Sequence, residues 1–216
     1  MPFLSDTVIC FDLDDTLYKE IDYLKSAYGE VATFAGHPEA VEQMLEWYQS
    51  GENAFKNLID KYELNISLAD CLKTYREHYP NIKLDEGVKA YLEGLKEDDA
   101  KLGVISDGRS LTQRNKIKAL GLEGVFDVKI ISEEFGSEKP CTKNYEAVMN
   151  KFPERKVFIY VGDNPAKDFL APNQLGWRTV CLKNDGRNIH KQDMSLLKEC
   201  MPQRVINKIE ETLKIR

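Results

Sequence analysis

The run VICFDLDDTLYKE at residues 8–20 carries an apolar stretch into three carboxylates, Asp12, Asp14 and Asp15. Like charges that close repel, and burying even one is costly unless a cation compensates. A turn in water tolerates them, whereas a site built around a cation needs them. Three further stretches hold residue types that complete such a site: Ser106, Asp107 and Gly108 in VISDG, Lys139 in GSEKP, and Asp163 and Asp168 in VGDNPAKD. Acids, a hydroxyl and a lysine together supply a divalent-cation site beside a phosphate site. Phosphoryl transfer requires that combination, because its catalysis is mostly positioning and charge neutralisation.

Asp12 and Asp14 stand two positions apart, so strand alternation turns both to the same side. A carboxylate such as Asp12 can attack phosphorus. A second acid beside it, Asp14, can protonate the leaving alcohol and then activate water. The plain alternative for Asp14 is solvation, or capping of the helix that follows. Ser106 can donate to a phosphate oxygen, with the amides of Asp107 and Gly108 helping, and Lys139 can neutralise both Asp12 and the transferring group. Thr16 is expected to brace the turn through hydroxyl-to-backbone bonds. Asp15 has no chemical role in this reading and is expected to be exposed or to cap a turn. Arg109 either holds an anionic group of the substrate or sits in water.

Those residues follow short β-rich runs: TVICFDL (7–13), KLGVIS (101–106), DVKII (127–131), KVFIYV (156–161) and RTVCL (178–182). Nearly continuous apolar runs suit strands covered on both faces, as in a parallel sheet. Helical spacing separates them, with Val88, Tyr91, Leu92 and Leu95 after a capping Asp85, and Tyr145, Val148, Met149 and Phe152 after Thr142. The alternation predicts an α/β fold with a Rossmann-like parallel sheet, whose carboxyl edge would gather the acids, the hydroxyl and the lysine. One connection breaks the rhythm. Between the first strand and the helix at 86 lie about seventy residues, too long for an ordinary loop. They carry amphipathic patterns instead, so residues 18–83 are expected to be an inserted helical domain, with 1–17 and 84–216 forming the core. Tyr18, Lys19, Glu20 and Tyr23 could line the entrance. Tyr28, Trp47, Tyr48 and Tyr62 either form the core of the insertion or stack on a base or sugar. The tail from 201 is expected to hold a last short strand and a closing helix.

The chain has 216 residues, 42% of them hydrophobic, enough for a sizeable core. A formal charge of −6 with both signs interspersed lacks the clustered basic face of a nucleic-acid binder. No apolar run approaches the ~20 residues of a membrane span, and the opening residues do not read as a secretory signal. The five cysteines are scattered and never spaced as CxxC, which suits reduced thiols in the cytoplasm, with Cys10 and Cys181 in core strands. His37, His78 and His190 are dispersed, and no zinc site is indicated.

The chain resembles the haloacid dehalogenase-like (HAD) hydrolases. FDLDDTL looks like their first motif, DxDx[TV], VISDG like the second, Lys139 in SEKP like the third and VGDNPAKD like the fourth. All four occur in order across nearly the whole core, and the helical insertion is similar to the family's C1 cap. The resemblance implies a HAD-like sheet and Mg²⁺ bound by Asp12, the backbone carbonyl of Asp14, and Asp163. Asp168 would orient these groups or reach the metal through water. The family's dehalogenases lack the second acid, so Asp14 favours phosphate-ester chemistry, while Asp15 replaces a glycine often found there. The implied activity is a Mg²⁺-dependent phosphatase that forms an aspartyl phosphate on Asp12. Its partner would be a small phosphorylated metabolite: a sugar phosphate, phosphoglycolate or a nucleoside monophosphate. The alternatives are a phosphomutase, a dehalogenase, and a phosphoacceptor module similar to a response-regulator receiver.

Overall fold

The computed structural model describes residues 4–213. Six strands are present among them: β1 (Thr7–Phe11), β2 (Lys101–Ser106), β3 (Val128–Ile131), β4 (Val157–Gly162), β5 (Arg178–Leu182) and β6 (Arg204–Ile206). They form one sheet in the order β3-β2-β1-β4-β5-β6, and every neighbouring pair is parallel. The five apolar runs thus become β1 to β5, and β6 is the short strand expected in the tail. The closing helix is a single 3₁₀ turn at Ile209–Glu211, and the last residues of that expectation, 214–216, lie outside those described.

Ten α-helices connect these strands among the described residues. Four follow β1: α1 (Glu20–Phe34), α2 (Val41–Gln49), α3 (Ala54–Lys61) and α4 (Leu68–Glu77). The others are α5 (Glu86–Glu97), α6 (Ser110–Ala119), α7 (Ser132–Phe135), α8 (Thr142–Lys151), α9 (Pro165–Asp168) and α10 (Leu170–Gln174). All five side chains of β1 are buried, as a strand covered on both faces requires. Alternation sorts them. Ile9 and Phe11 join Leu92, Leu95, Leu102 and Ile117 in one core, while Val8 and Cys10 join Ile105, Tyr145, Tyr160 and Trp177 in the other.

The chain between β1 and α5 is helical, as its patterns predict, and its helices start where the sequence provides caps. Asn53 accepts from the amide of Lys56 at 3.0 Å, and Ser67 and Asp70 exchange bonds of 3.1 and 2.9 Å across the first turn of α4. These helices share a separate apolar core of Leu24, Tyr28, Val31, Met44, Leu58 and Cys71. Tyr28 meets Tyr48 and Phe55 edge-on there, and Trp47 and Tyr62 pack against the same core. The four aromatics therefore serve helix packing. Side chains of α6 tie the helices to the sheet: Thr112 donates to the carbonyl of Arg76 at 2.8 Å, and Asn115 to that of His78 at 3.1 Å. No helix among the described residues is long and apolar enough to cross a membrane.

Candidate active site

Strand order decides where the acids meet. From β1 the chain goes first to β2 on one side and later to β4 on the other. The carboxyl ends of β1 and β4 therefore flank the switch point where open α/β sheets bind ligands. Asp12 follows β1 directly, its amide still donating to the carbonyl of Val161 at 2.8 Å, and Asp163 follows β4. Lys139 arrives from the loop before α8. Its Nζ lies 2.7 Å from Asp12 Oδ1 and 2.8 Å from Asp168 Oδ1, and all three side chains are buried. Asp168 has no oxygen to spare: Oδ1 also accepts from the Tyr160 hydroxyl at 3.2 Å, and Oδ2 from the amides of Asp163 and Asn164 at 3.1 and 2.8 Å. One carboxylate thus ties Lys139, Tyr160 and the turn after β4 together. Glycine is required at 162, because any side chain there would collide with the Asp168 carboxylate.

Carboxylate oxygens of Asp12, Asp163 and Asp168 lie within 4.8 Å of one another. Against their three charges stands the single ammonium of Lys139, a deficit of two positive charges. Burial pushes Asp12 up to about 7 even though Lys139 opposes the shift. Burial and the carboxylates of Asp12, Asp168 and Asp15 push Asp163 up to about 8. For Lys139, burial alone would favour loss of the proton, but Asp12 and Asp168 outweigh it and hold the ammonium well above its ordinary range. Hard oxygen donors, few in number and short of two positive charges, fit a divalent cation such as Mg²⁺. Of the three acids, Asp12 and Asp163 could hold it.

Asp14 sits in a cage that the sequence did not reveal. Its Oδ1 accepts from Lys116 Nζ at 2.7 Å and from the Tyr18 hydroxyl, and its Oδ2 accepts from Gln113 Nε2 at 2.9 Å. Burial acts to raise Asp14, but the Lys116 charge and these hydrogen bonds together hold it below its ordinary value. Gln113 also donates to Ser106 Oγ at 2.5 Å, so one amide bridges the acid and the hydroxyl expected on the phosphate. Lys116 and Gln113 point inward from the middle of α6, and no local pattern distinguishes them from the other polar residues of that helix.

Several expectations are corrected. The Thr16 hydroxyl is buried and makes no hydrogen bond. The turn is held instead by the Leu17 amide bonding to the Leu13 carbonyl at 3.0 Å, and by Asp15. Asp15 is buried, with φ +56°, and its carboxylate accepts from the amides of Glu20 and Ile189, both at 3.0 Å. The expectation of capping holds and that of exposure does not. A left-handed backbone explains why glycine suits this position. The amide of Gly108 donates to Ser132 Oγ at 2.9 Å, so it is already engaged. Asp107 accepts from the amide of Lys139 at 3.0 Å and lies 3.6 Å from Lys167. Arg109 stands 3.7 Å from Glu133 and lines a different groove, beside Arg76.

The loop after β5 was not anticipated at all. Asn188 Nδ2 donates to Asp163 Oδ2 at 2.8 Å, and Gln192 Nε2 to the Asp163 carbonyl at 2.6 Å. Lys19 reaches Asn188 Oδ1 at 2.8 Å, and Ile189 packs against the helical core. This strap brings His190 to a cleft of about 120 Å³ whose walls include Asp12, Asp14, Glu20, Ser106, Lys139 and Asp163. A larger groove of about 570 Å³ beside Thr16 and Lys19 contains none of the clustered acids.

The family model of haloacid dehalogenase-like hydrolases matches residues 9–182, from β1 through β5. The chain belongs to that family. Among relatives of this HAD-like hydrolase, the glyceraldehyde 3-phosphate phosphatase of Methanocaldococcus jannaschii is 31% identical, over 80% of this chain and 82% of its own. The ribulose-1,5-bisphosphate 5-phosphatase of Halopiger xanaduensis is 25% identical, over 81% and 83%. The magnesium-bound structure of YfnB from Bacillus subtilis shares the fold, with a TM-score of 0.67 at 20% identity and 96% of each chain covered.

Proposed function

We propose that this HAD-like hydrolase is a Mg²⁺-dependent phosphatase that cleaves a phosphomonoester of a small metabolite through an aspartyl phosphate on Asp12. One observation carries the reading: two acids, the buried Asp12 and the partly buried Asp14, open on one cleft while their charges are managed separately, Asp12 by Lys139 and Asp14 by Lys116. That separation suits two different jobs. The curated relatives named as phosphatases of small phosphorylated compounds support the same reaction class.

In this reading Asp12 attacks phosphorus, while Lys139 and the Ser106 hydroxyl take up charge on the phosphoryl oxygens. Asp14 delivers a proton to the leaving oxygen and later withdraws one from the water that releases phosphate. Lys116 keeps Asp14 in its base form before substrate arrives, and a dianionic phosphoryl group beside it favours the proton. When bound, Mg²⁺ supplies charge neutralisation that Lys139 alone does not. Asp168 keeps Lys139 and the turn after β4 in place. The helices of residues 18–83 form a cap over the core of 1–17 and 84–216, excluding bulk water and selecting the substrate. A cytoplasmic setting accords with five free cysteines and a metabolite substrate.

The test is release of inorganic phosphate across a panel of phosphorylated metabolites, with and without Mg²⁺. Asp12→Asn abolishes release on every substrate while circular dichroism stays native. Undiminished turnover in that variant overturns the assignment, and isomerised phosphate without free phosphate makes the enzyme a mutase.

A further inference from the structure

We infer that the cleft takes a phosphomonoester whose leaving group is an uncharged polyol or hydroxyaldehyde, recognised by Glu20, and that it disfavours substrates carrying a carboxylate or a second phosphate. This rests on the phosphatase reading above and narrows its substrate class. Glu20 opens α1 with its amide anchored on Asp15, and it lines the cleft wall opposite the strand ends. Its carboxylate has no hydrogen-bond or ion-pair partner among the described residues. The two buried lysines here are committed, Lys139 to Asp12 and Asp168 and Lys116 to Asp14, while the half-exposed Lys167 stands 3.6 Å from Asp107. His190 adds an imidazole on the rim. A divalent cation and the phosphoryl dianion offset each other to first order, and Lys116 offsets Asp14, so the leaving group meets the field of Asp15 and Glu20. Burial first, and then the neighbouring carboxylates, push Glu20 up to about 8, and both act against any further anion placed beside it. Protonated or ionised, Glu20 accepts a hydrogen bond from a hydroxyl. A site built to bond a hydroxyl discriminates strongly against groups that leave it unmet.

The experiment compares kcat/KM for phosphate release from glycerol 3-phosphate and glyceraldehyde 3-phosphate with that from phosphoglycolate and ribulose 1,5-bisphosphate. The uncharged leaving groups are expected to win by about tenfold or more. Glu20→Leu, which removes the acceptor, raises KM for the polyol esters and narrows that ratio, and Glu20→Lys inverts it toward phosphoglycolate. A wild-type preference for either doubly anionic substrate, or a ratio unmoved in both variants, overturns the inference. The two readings fail separately: Asp12-dependent phosphate release with the wrong ranking removes only the substrate class, whereas wild-type release by Asp12→Asn removes both.

Discussion

Lys116 Nζ stands 2.7 Å from Asp14 Oδ1, with the ring of Tyr23 centred 4.2 Å from the same ammonium. The pair joins the middle of α6 to the turn after β1, and the lysine helps hold Asp14, the acid proposed to carry the proton, below its ordinary value.

Lys116→Met leaves Asp14 with Tyr18 and Gln113 but no compensating charge. Breaking a fully buried pair from one side costs about 3–5 kcal/mol, and Asp14 is partly exposed, so urea denaturation at pH 7 should show a loss toward or below the lower end of that range. Asp14→Asn in the Lys116→Met background should recover most of it, and strictly additive losses would show that the two are uncoupled. The sign with pH follows from the lowered Asp14. The contribution of the pair is complete above the ordinary aspartate value of ~3.9 and is lost as pH falls through the lower folded value, so the penalty shrinks in acid.

Asp12 and Asp163 predict the opposite trend. Both are raised, to about 7 and about 8, so their contribution to stability is complete in acid below the ordinary aspartate value and is lost as pH rises through those folded values. Chelator-treated protein should therefore melt at lower temperature at pH 8.5 than at pH 5.5, by on the order of 5 °C for a chain of this size. Millimolar Mg²⁺ should restore the loss at pH 8.5 and do little at pH 5.5, where the same carboxylates are protonated. A melting temperature independent of both pH and Mg²⁺ would contradict the charge deficit at this site.

Asp15→Gly separates backbone strain from stapling. Glycine relieves the left-handed φ of +56°, worth roughly 1 kcal/mol, while the amides of Glu20 and Ile189 lose their acceptor. Global stability should fall by no more than about 1–2 kcal/mol, because the two effects oppose. Amide exchange at residues 184–192 should nevertheless accelerate markedly, since the strap loses its anchor to the turn after β1. Unchanged protection there would show that Asn188 and Gln192 alone hold the strap.

Much of this molecule was legible in one dimension. Apolar runs such as VICF and VFIYV must be buried on both faces, and a parallel sheet is the arrangement that does so. Its geometry then sends Asp12, Ser106 and Asp163 to one edge whatever the details. The seventy residues without a strand had to be helical, because their apolar spacing offered no other way to bury a face. Pairing is different, since it depends on atoms far apart in the chain. Lys116 and Gln113 sit on α6 among polar residues of similar spacing, and only packing of that helix against the turn after β1 turns them toward Asp14. The Thr16 hydroxyl, expected to bond, is shut away because Asp15 already satisfies the neighbouring amides. The strap at 184–192 has no periodic pattern, and its bonds to Asp15 and Asp163 span 174 and 25 residues. The sequence determined which chemical groups reach the sheet edge, because strand direction is a local consequence of burial. Tertiary structure decided which of those charges are neutralised and which are left for a cation, because Coulomb energy depends on distances that only the folded chain sets.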